Sequence, residues 1–287
     1  MKKIPIRKIK SPTPEQVSSV PFNIRKVEEI LQGKDLNHSL HRHDFYFILA
    51  LNQGEGMHNI DFEPYELTGN VVFCVRPGQV HELQLKSSCS GYLMEFDVEF
   101  YRPNEKVSAQ KLRKATYKNF CQLTEQRFEK ILTILKNIFE ENAIHEAGYQ
   151  TIIKSSLDIF FIELARQSQN PDATPSNANN YVQERLEEFL ELLQINITSH
   201  KQVSHYTKMM NLSSYQLNEI TKNTVGKTAS DLINEQIMLE ARRYLLASTD
   251  QIKEISEVLG YEDVSYFIRF FKKHSGLSPD AFRQNFK

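Results

Sequence analysis

Apolar residues recur at helical spacing in two consecutive short segments between Ile252 and Arg283. Gly260 separates the segments, because glycine readily takes the left-handed conformation in which many helices end, and Asp263 is a suitable N-cap for a second helix. The pattern therefore predicts two helices that meet at a tight turn. Their predicted apolar faces are Ile252, Ile255, Val258 and Leu259 in the first helix and Tyr266, Phe267, Phe270 and Phe271 in the second.

The second predicted helix carries polar residues opposite its apolar face and cations at its end. Lys272, Lys273 and His274 lie at the C-terminus, where the helix dipole favours cations and a DNA phosphate can be met. This arrangement is typical of a helix-turn-helix unit whose second helix enters a major groove, but it also fits a plain helical hairpin with a solvated basic end. The positions expected to face the groove are Val264, Ser265, Ile268, Arg269 and Lys272.

The same pattern occurs about fifty residues upstream, from Val203 to Ile233. Between the copies, Ser230–Ala247 is predicted to form one long helix that holds two units at a fixed separation. Each second helix could then enter one of two successive major grooves, about 34 Å apart. The duplication favours DNA binding over a plain hairpin. Val203, Tyr206, Met209, Leu212, Leu217, Ile220, Lys222 and Gly226 correspond to Ile252, Ile255, Val258, Tyr261, Phe267, Phe270, Lys272 and Gly276.

The residues from Gly260 to Arg283 follow the pattern GY-x-D-x-SYF-x-R-x-FKK-x-x-G-x-SP-x-x-FR. This pattern resembles the signature of the AraC/XylS family of bacterial transcription regulators, and the resemblance covers roughly the last hundred residues. It implies two recognition helices that read double-stranded DNA, with Lys222, Lys272 and Lys273 contributing positive charge. By position, it assigns base contacts to Ser214, Tyr215, Asn218 and Glu219 in the first unit and to Val264, Ser265, Ile268 and Arg269 in the second.

Glu219 departs from the family pattern, in which a basic residue is common at this position. A glutamate can accept a hydrogen bond from cytosine N4, so the substitution changes the base that we expect to be read. The resemblance also implies transcription activation, contact with RNA polymerase and assembly as a homodimer.

Short strand-like runs separated by turn residues fill the region from about Asn37 to Asp97. Regularly spaced short strands of this kind predict a small antiparallel barrel or jelly roll, whose mouth is a common ligand site. With the helical C-terminal part, the fold class is α+β multidomain. The predicted strands are Phe45–Leu51, His58–Phe62, Val71–Val75, His81–Leu85 and Tyr92–Phe96.

Two histidine-containing segments, His41 to Tyr46 and Arg76 to His81, resemble the half-motifs of the cupin fold, which many AraC-type regulators carry as their effector domain. We expect His41, His43, Tyr46 and His81 to contact a small-molecule effector. The three histidines could also bind a metal ion. The glutamate that completes the ligand set of metal-binding cupins is absent, since Phe47 and Ile48 occupy its position, so no metal or other cofactor is predicted.

Composition and charge fit a regulator more closely than the alternatives. The 287 residues are 40% hydrophobic and carry a net charge of −1, which excludes a generally basic nucleic-acid coat, so any DNA-binding charge must be local. No apolar run is long enough for a membrane span, and the first residues lack the apolar core of a signal peptide, so a cytoplasmic location is expected. The three cysteines show no metal-ligand spacing.

The sequence thus predicts a transcription regulator that is not an enzyme, controlled by an effector of unknown identity. The alternative is a metal-dependent cupin enzyme with a helical interaction domain. The predicted organisation is an N-terminal arm (1–36), an effector-binding barrel (37–110), a helical hairpin for dimerisation (111–168), a polar linker (169–180) and a DNA-binding domain (181–287) with helix-turn-helix units at 203–226 and 252–276.

Overall fold

The structure is a computed structural model that describes residues 6, 7, 9, 21–101, 112, 115, 116, 118–167 and 177–285. The chain divides into two compact units, one within residues 4–171 and the other within residues 172–287. Residues 169–176 of the predicted linker lie outside the described residues. From residue 177 onward the chain is helical, so the last part of the predicted linker belongs to the first helix of the second unit.

Two five-stranded sheets form the body of the N-terminal unit. The first sheet contains, in spatial order, β1 (Ile6–Arg7), β3 (Leu36–His43), β8 (Val80–Leu85), β5 (Gly56–Ile60) and β6 (Glu63–Leu67). The second contains β10 (Phe120–Gln122), β7 (Val71–Val75), β4 (Tyr46–Gln53), β9 (Ser90–Phe96) and β2 (Phe22–Lys26). Neighbouring strands are antiparallel, except for the short parallel pairing of β1 with β3. The predicted antiparallel β-rich domain is confirmed.

Side-chain alternation along β4 separates two cores. Phe47 and Leu49 point between the sheets and pack with residues of both sheets, including Leu83 and Phe73. The intervening Ile48 packs on the other side of the second sheet, against the helices that follow the barrel. β4 is therefore buried on both faces, which explains why it reads as a continuous apolar run.

The sequence predicts that the arm over residues 1–36 is irregular, apart from one short helix near Arg25 to Gln32. The segment from Phe22 to Leu31 instead belongs to the β-domain. Phe22 and Ile24 lie on β2, which pairs with β9 along its whole length, and both pack in the core behind the second sheet. Val27 and Leu31 are buried on α1 (Val27–Leu31), so the short helix expected near this position is confirmed. The strand escaped prediction because only two of its five residues are large and apolar.

A helical hairpin follows the barrel, as predicted. It consists of α2 (Glu125–Ile144) and α3 (Tyr149–Gln167), and both helices bury apolar stripes in the core behind the second sheet. Two details differ from the prediction. β10 pairs with β7, so the barrel extends beyond residue 110 and the hairpin starts only at Glu125. The sequence predicts one apolar stripe on the second helix, but Ile152 in this stripe is 46% exposed. The predicted stripe consists of Tyr149, Ile152, Ile153, Leu157, Phe160, Phe161 and Leu164.

The C-terminal unit is entirely helical in its described part. Its helices are α4 (Asn177–Asn196), α5 (Val203–Met210), α6 (Ser214–Val225), α7 (Ala229–Ala247), α8 (Ile252–Val258), α9 (Val264–Ser275) and α10 (Pro279–Asn285). One core joins them, with Phe189, Tyr206, Ile237 and Phe267 near its centre. Within the described residues, none of the helices combines the length and apolarity needed to cross a membrane.

Candidate DNA-binding surface and ligand site

Both predicted helix-turn-helix units are present, as α5–α6 and α8–α9. Each turn passes through a residue in the left-handed conformation, Asn211 with φ 52° in the first unit and Gly260 with φ 73° in the second. Both residue types adopt this conformation at lower cost than others. Asn211 precedes the start of α6 at Ser214 by three residues, whereas Gly260 precedes the start of α9 at Val264 by four. The first turn is therefore one residue shorter than the second, which makes the repeat slip by one residue at the turn.

The second helices of the two helix-turn-helix units match in length and in how they begin and end. α6 and α9 each contain 12 residues, and each ends at a glycine in the left-handed conformation, Gly226 and Gly276. Each begins at a side-chain cap. Ser213 Oγ accepts a hydrogen bond from the backbone N–H of Gln216 at 3.1 Å, and Asp263 accepts one from Ser265 at 2.7 Å. The chain thus repeats helix start, length and stop fifty residues apart.

The exposed face of α9 differs from the predicted one, because two residues expected in it are half-buried and one residue expected in the apolar face is exposed. Phe267 and Phe271 are fully buried, and Ser265, Arg269, Lys272 and Lys273 are exposed opposite them. Val264 and Ile268 are half-buried at the edge of this face. Tyr266, expected in the apolar face, is 58% exposed and lies against the ring of Tyr261 instead.

Free positive charge is concentrated on this face. Arg269, Lys272 and Lys273 have no ion pair or side-chain hydrogen bond with any other residue in the part of the chain that the structure describes. Lys227, by contrast, is paired with Glu235 at 2.8 Å. The unpaired cations at the end of α9 are available to phosphates.

The exposed face of α6 is less basic. Leu217, Ile220 and Thr221 are buried, and Tyr215 is 77% exposed. The remaining exposed residues of the predicted contact set on this helix are Ser214, Glu219 and Lys222. An aromatic ring and a carboxylate thus stand where α9 presents Ser265 and Arg269.

Asn218 differs from its neighbours because its side chain braces the protein. Its Oδ1 accepts a hydrogen bond from the backbone N–H of Ala229 at 3.0 Å, and its Nδ2 donates to the carbonyl oxygen of Ser214 at 2.9 Å. The first contact satisfies a backbone donor in the first turn of α7. The structure therefore gives this residue a partner on α7, whereas the sequence predicted a base contact.

A contact that the sequence did not predict joins the two helix-turn-helix units. The Lys201 ammonium donates to the carbonyl oxygens of Thr198 and Gly260, both at 2.9 Å, and lies 4.9 Å from the centre of the Tyr261 ring. A Cβ atom on Gly260 would stand 1.8 Å from the Thr198 carbonyl oxygen. The loop before the first unit thus packs directly on the turn of the second, which fixes the orientation of α6 relative to α9.

A cluster of histidines fills one end of the space between the sheets. His41 and His43 lie on β3, His81 on β8 and His58 on β5, and all four side chains are buried. His43 Nε2 and His81 Nε2 lie 2.7 Å apart, and His58 Nε2 lies 2.8 Å from His81 Nδ1. The structure therefore brings together the three predicted histidines and adds His58, whose position opposite β8 could not be inferred without the strand register.

Two of these imidazoles, those of His58 and His81, are held in the neutral form. Burial, reinforced by the neighbouring histidines, lowers the pKa of His58 to about 3 and lowers the pKa of His81 well below its ordinary value. His43 also stacks on Phe45, with ring centroids 4.3 Å apart. The apolar surroundings make a charged imidazole costly, because desolvation disfavours the ionised state.

Tyr46 does not join the histidines, which corrects its assignment to the same effector site. It alternates with Phe47 along β4 and therefore points to the opposite side of the sheet, where its ring stacks on Phe96 at 5.0 Å. The sequence motif placed these residues close together along the chain, but strand alternation separates their side chains.

These features define the class of protein. A β-domain with an enclosed polar cluster, followed by two matched helix-turn-helix units with a basic exposed face, is the architecture of a ligand-responsive DNA-binding regulator.

Comparison with known proteins agrees with this class. The family model described as an AraC-like ligand binding domain matches residues 30–152, and the model described as a helix-turn-helix domain matches residues 206–285. The HTH-type transcriptional activator RhaS of Pectobacterium carotovorum is 25% identical over 256 residues, covering 85% of this chain and 86% of that protein. RhaR, an HTH-type transcriptional activator of Yersinia pseudotuberculosis, is 21% identical over 253 residues, covering 86% of this chain and 84% of its own length.

Among solved structures, ToxT from Vibrio cholerae O395 aligns with a TM-score of 0.43 and 13% identity, covering 92% of this chain and 97% of that chain. The two family models together span most of the chain. The chain belongs to the AraC/XylS family of transcription regulators, and the resemblance seen in its sequence is confirmed.

Proposed function

We propose that this regulator activates transcription from operators that contain two recognition elements about one helical turn apart, under the control of a small molecule bound by the β-domain. RhaS and RhaR, which are named as transcriptional activators, support activation rather than repression. The protein would act in the cytoplasm, without enzymatic activity, and would contact RNA polymerase once bound.

The observation that carries the proposal is the pair of equivalent recognition helices held by one rigid spacer. α7 has 19 residues and is therefore about 28 Å long, close to the roughly 34 Å between successive major grooves on one face of the duplex. Lys201 adds a second connection between the two helix-turn-helix units, through its hydrogen bond to the Gly260 carbonyl oxygen. A spacer of this length suits simultaneous insertion of α6 and α9.

The exposed side chains suggest a division of roles. We assign base contacts to Tyr215 and Glu219 on α6 and to Ser265 and Arg269 on α9, because these residues are exposed opposite the buried faces. Phosphate contacts are assigned to Lys222, Lys272 and Lys273. Ser214, Val264 and Ile268 lie at the edges of these exposed faces. Val264 and Ile268 can make apolar contact with a thymine methyl group. Asn218 is assigned a bracing role.

A homodimer through the hairpin is also proposed. Ile152 and Ile159 are 46% and 52% exposed and lie seven residues apart on α3, so they share one face of the helix. A second copy of the chain would cover this apolar face. Sedimentation equilibrium of wild type and of Ile159→Asp tests this, since the variant should remain monomeric at concentrations at which the wild type dimerises.

The effector is proposed to bind within the β-domain, near His41, His43 and His81. Thermal unfolding of the full-length protein across a panel of metabolites tests this, because a ligand that binds only the folded state raises the unfolding temperature. The alternative of a cupin enzyme gains no support, because Phe47 and Ile48 are buried apolar residues where a liganding glutamate would be required.

The decisive experiment is selection from a random double-stranded DNA library with the full-length protein, followed by titration of the enriched sequence at two salt concentrations. We expect a motif with two elements whose centres are about 10 base pairs apart. The matched control is the double variant Glu219→Ala, Arg269→Ala, which should retain salt-sensitive binding to random DNA but enrich a motif that has lost its preference at the base pairs read by these two residues. Equal enrichment by wild type and control would contradict the proposal.

A further inference from the structure

We propose that His41, His43 and His81 bind a borderline transition-metal ion, of which Zn²⁺ is the reference case, and that His58 and the Ser39 carbonyl orient two of the ligands. The sequence led us to expect no metal, because the carboxylate of metal-binding cupins is missing. The structure provides a different arrangement, in which a fourth histidine supports three nitrogen ligands.

The three side chains converge from two paired strands. His41 and His43 lie two residues apart and therefore point to the same side of β3, and His41 is the direct partner of His81 across the antiparallel pair. One ring nitrogen from each histidine lies within 4.8 Å of the others. Three imidazole nitrogens in this arrangement form one face of a coordination shell.

The hydrogen bond made by His41 selects the tautomer that binds metals. Its Nδ1 lies 2.8 Å from the carbonyl oxygen of Ser39, which can only accept a hydrogen bond. Nδ1 therefore carries the proton and donates it, and the lone pair resides on Nε2. A backbone carbonyl that accepts from the second ring nitrogen is the usual companion of a metal-binding histidine.

His58 gives His81 the same support. His81 Nδ1 lies 2.8 Å from His58 Nε2, so a proton on His81 Nδ1 can be donated to His58, which leaves the lone pair of His81 on Nε2. This is the nitrogen that meets His43 Nε2 at 2.7 Å. Two nitrogens bound to one tetrahedral zinc ion stand about 3.4 Å apart, so an ion requires these two rings to separate by only about 0.7 Å.

The chemistry of the site restricts the ion. Three neutral nitrogen donors without a carboxylate favour Zn²⁺, Cu²⁺, Ni²⁺ or Co²⁺ and disfavour Mg²⁺ and Ca²⁺, which prefer oxygen. The rings of His41 and His81 are already in contact, with centroids 4.2 Å apart, so the centre of the cluster suits an ion better than a sugar-sized molecule. A fourth coordination position remains for water or for an oxygen donor of a small ligand.

The test is titration of metal-free full-length protein with Zn²⁺ by calorimetry, and with Co²⁺ as an optical probe. We expect one tight equivalent per chain and a Co²⁺ spectrum typical of a four-coordinate nitrogen-rich site. His41→Gln should abolish the tight equivalent, and His58→Leu should weaken it about 10- to 100-fold, as the loss of a supporting group does. Mg²⁺ should not compete. The titration contains no DNA, so its outcome is independent of the proposed regulatory function.

The matched control is His200→Gln, His205→Gln in the C-terminal unit, where two histidine rings also lie close together, 4.6 Å apart. This variant should keep the tight site. Circular dichroism and urea unfolding of each variant identify any that fail to fold, and His43→Gln provides a second test of the ligand set. If wild type binds no tight equivalent, if the equivalent survives His41→Gln and His43→Gln in folded protein, or if it disappears in the control, the cluster is only a hydrogen-bonded network and the proposal is wrong.

Discussion

Arg269 and Lys272 lie on the same exposed face of α9 but should affect DNA binding differently. Arg269→Ala removes a bidentate donor to a base edge, so we expect affinity for the selected operator to fall by about 1–3 kcal/mol, with relaxed preference at one base pair. Lys272→Ala removes a phosphate contact, so it should weaken binding to all sequences alike and reduce the salt dependence by about one ion. Competition titrations with operator and random DNA measure both effects.

Lys136→Ala is the control for these two variants, because it removes one positive charge from α2 in the N-terminal unit. It should leave operator affinity and the salt slope unchanged. If Arg269→Ala and Lys272→Ala weakened specific and random binding to the same extent, their assigned roles would be incorrect.

The buried His58 should make the metal-free protein less stable in acid. Its pKa is lowered to about 3 in the folded state from an ordinary value of 6.5, so between these values the unfolded state binds the extra proton. Stability is therefore greatest above about pH 6.5 and falls as the pH decreases, by at most roughly 1.4 kcal/mol per pH unit for each such histidine.

Urea unfolding of EDTA-treated protein, from neutral pH to about pH 5, measures this slope. His58→Leu should make the slope shallower, although it also costs stability at neutral pH. His145→Asn, at an exposed histidine in the left-handed turn after α2, should leave the slope as in the wild type. Identical slopes in all three proteins would show that burial of His58 is not the cause.

At the level of single residues, the sequence predicted which histidines meet but not all of their surroundings. His41, His43 and His81 were recognisable from two short motifs. His58 belongs to no motif and reaches the cluster only through the register of β5 with β8. Asn218 likewise could not be identified as a brace, because its partner is a backbone N–H on α7 that only the packing of two helices brings within reach.

Among the elements, the turn of the second helix-turn-helix unit is the most constrained. Gly260→Ala places a Cβ atom 1.8 Å from the Thr198 carbonyl oxygen and also strains a backbone with φ 73°. We expect it to destabilise the C-terminal unit by more than about 3 kcal/mol and to weaken operator binding, since the contact that orients the two units must break.

Gly276→Ala is a closely matched comparison. Gly276 has φ 76°, but nothing lies within 4 Å of a Cβ atom built there. The cost should therefore be limited to the left-handed conformation, about 1–2 kcal/mol. Chemical unfolding of both variants separates backbone strain from steric contact, and equal losses would mean that the Thr198 loop yields easily.

Whole elements were predicted correctly where the apolar pattern repeats over a long segment and were missed where the segment is only a few residues long. The duplicated helix-turn-helix units, including the turn at Gly260 and the cap at Asp263, were predicted close to their observed bounds, although the Ser213 cap of α6 was not predicted. β2 and β10 were not predicted, since they have only five and three residues and are fixed by pairing with strands far away in the sequence. Such edge strands depend on tertiary context more than on local pattern.

For the molecule as a DNA reader, the rigid spacing of the two helix-turn-helix units restricts the operator. Insertion of about five base pairs between the two elements turns one of them to the opposite face of the duplex, and insertion of about ten doubles their separation. Because α7 is only about 28 Å long, neither insertion can be accommodated. Affinity should fall in both cases to that of a single element, as gel-shift titration would measure. Retention of full affinity after the ten-base-pair insertion would contradict a rigid spacer.

The fifty-residue repeat also bears on how such a regulator acquires new targets. Its caps, turn residues and buried side chains are duplicated, whereas the exposed residues of α6 and α9 have diverged, so each half of an operator is under the control of a separate set of mutations. Mutations in one recognition helix can change the element that it reads while the other helix still binds its original element. Exchange of the exposed residues of α6 with those of α9 would yield a regulator for the same operator with its two elements in reverse order.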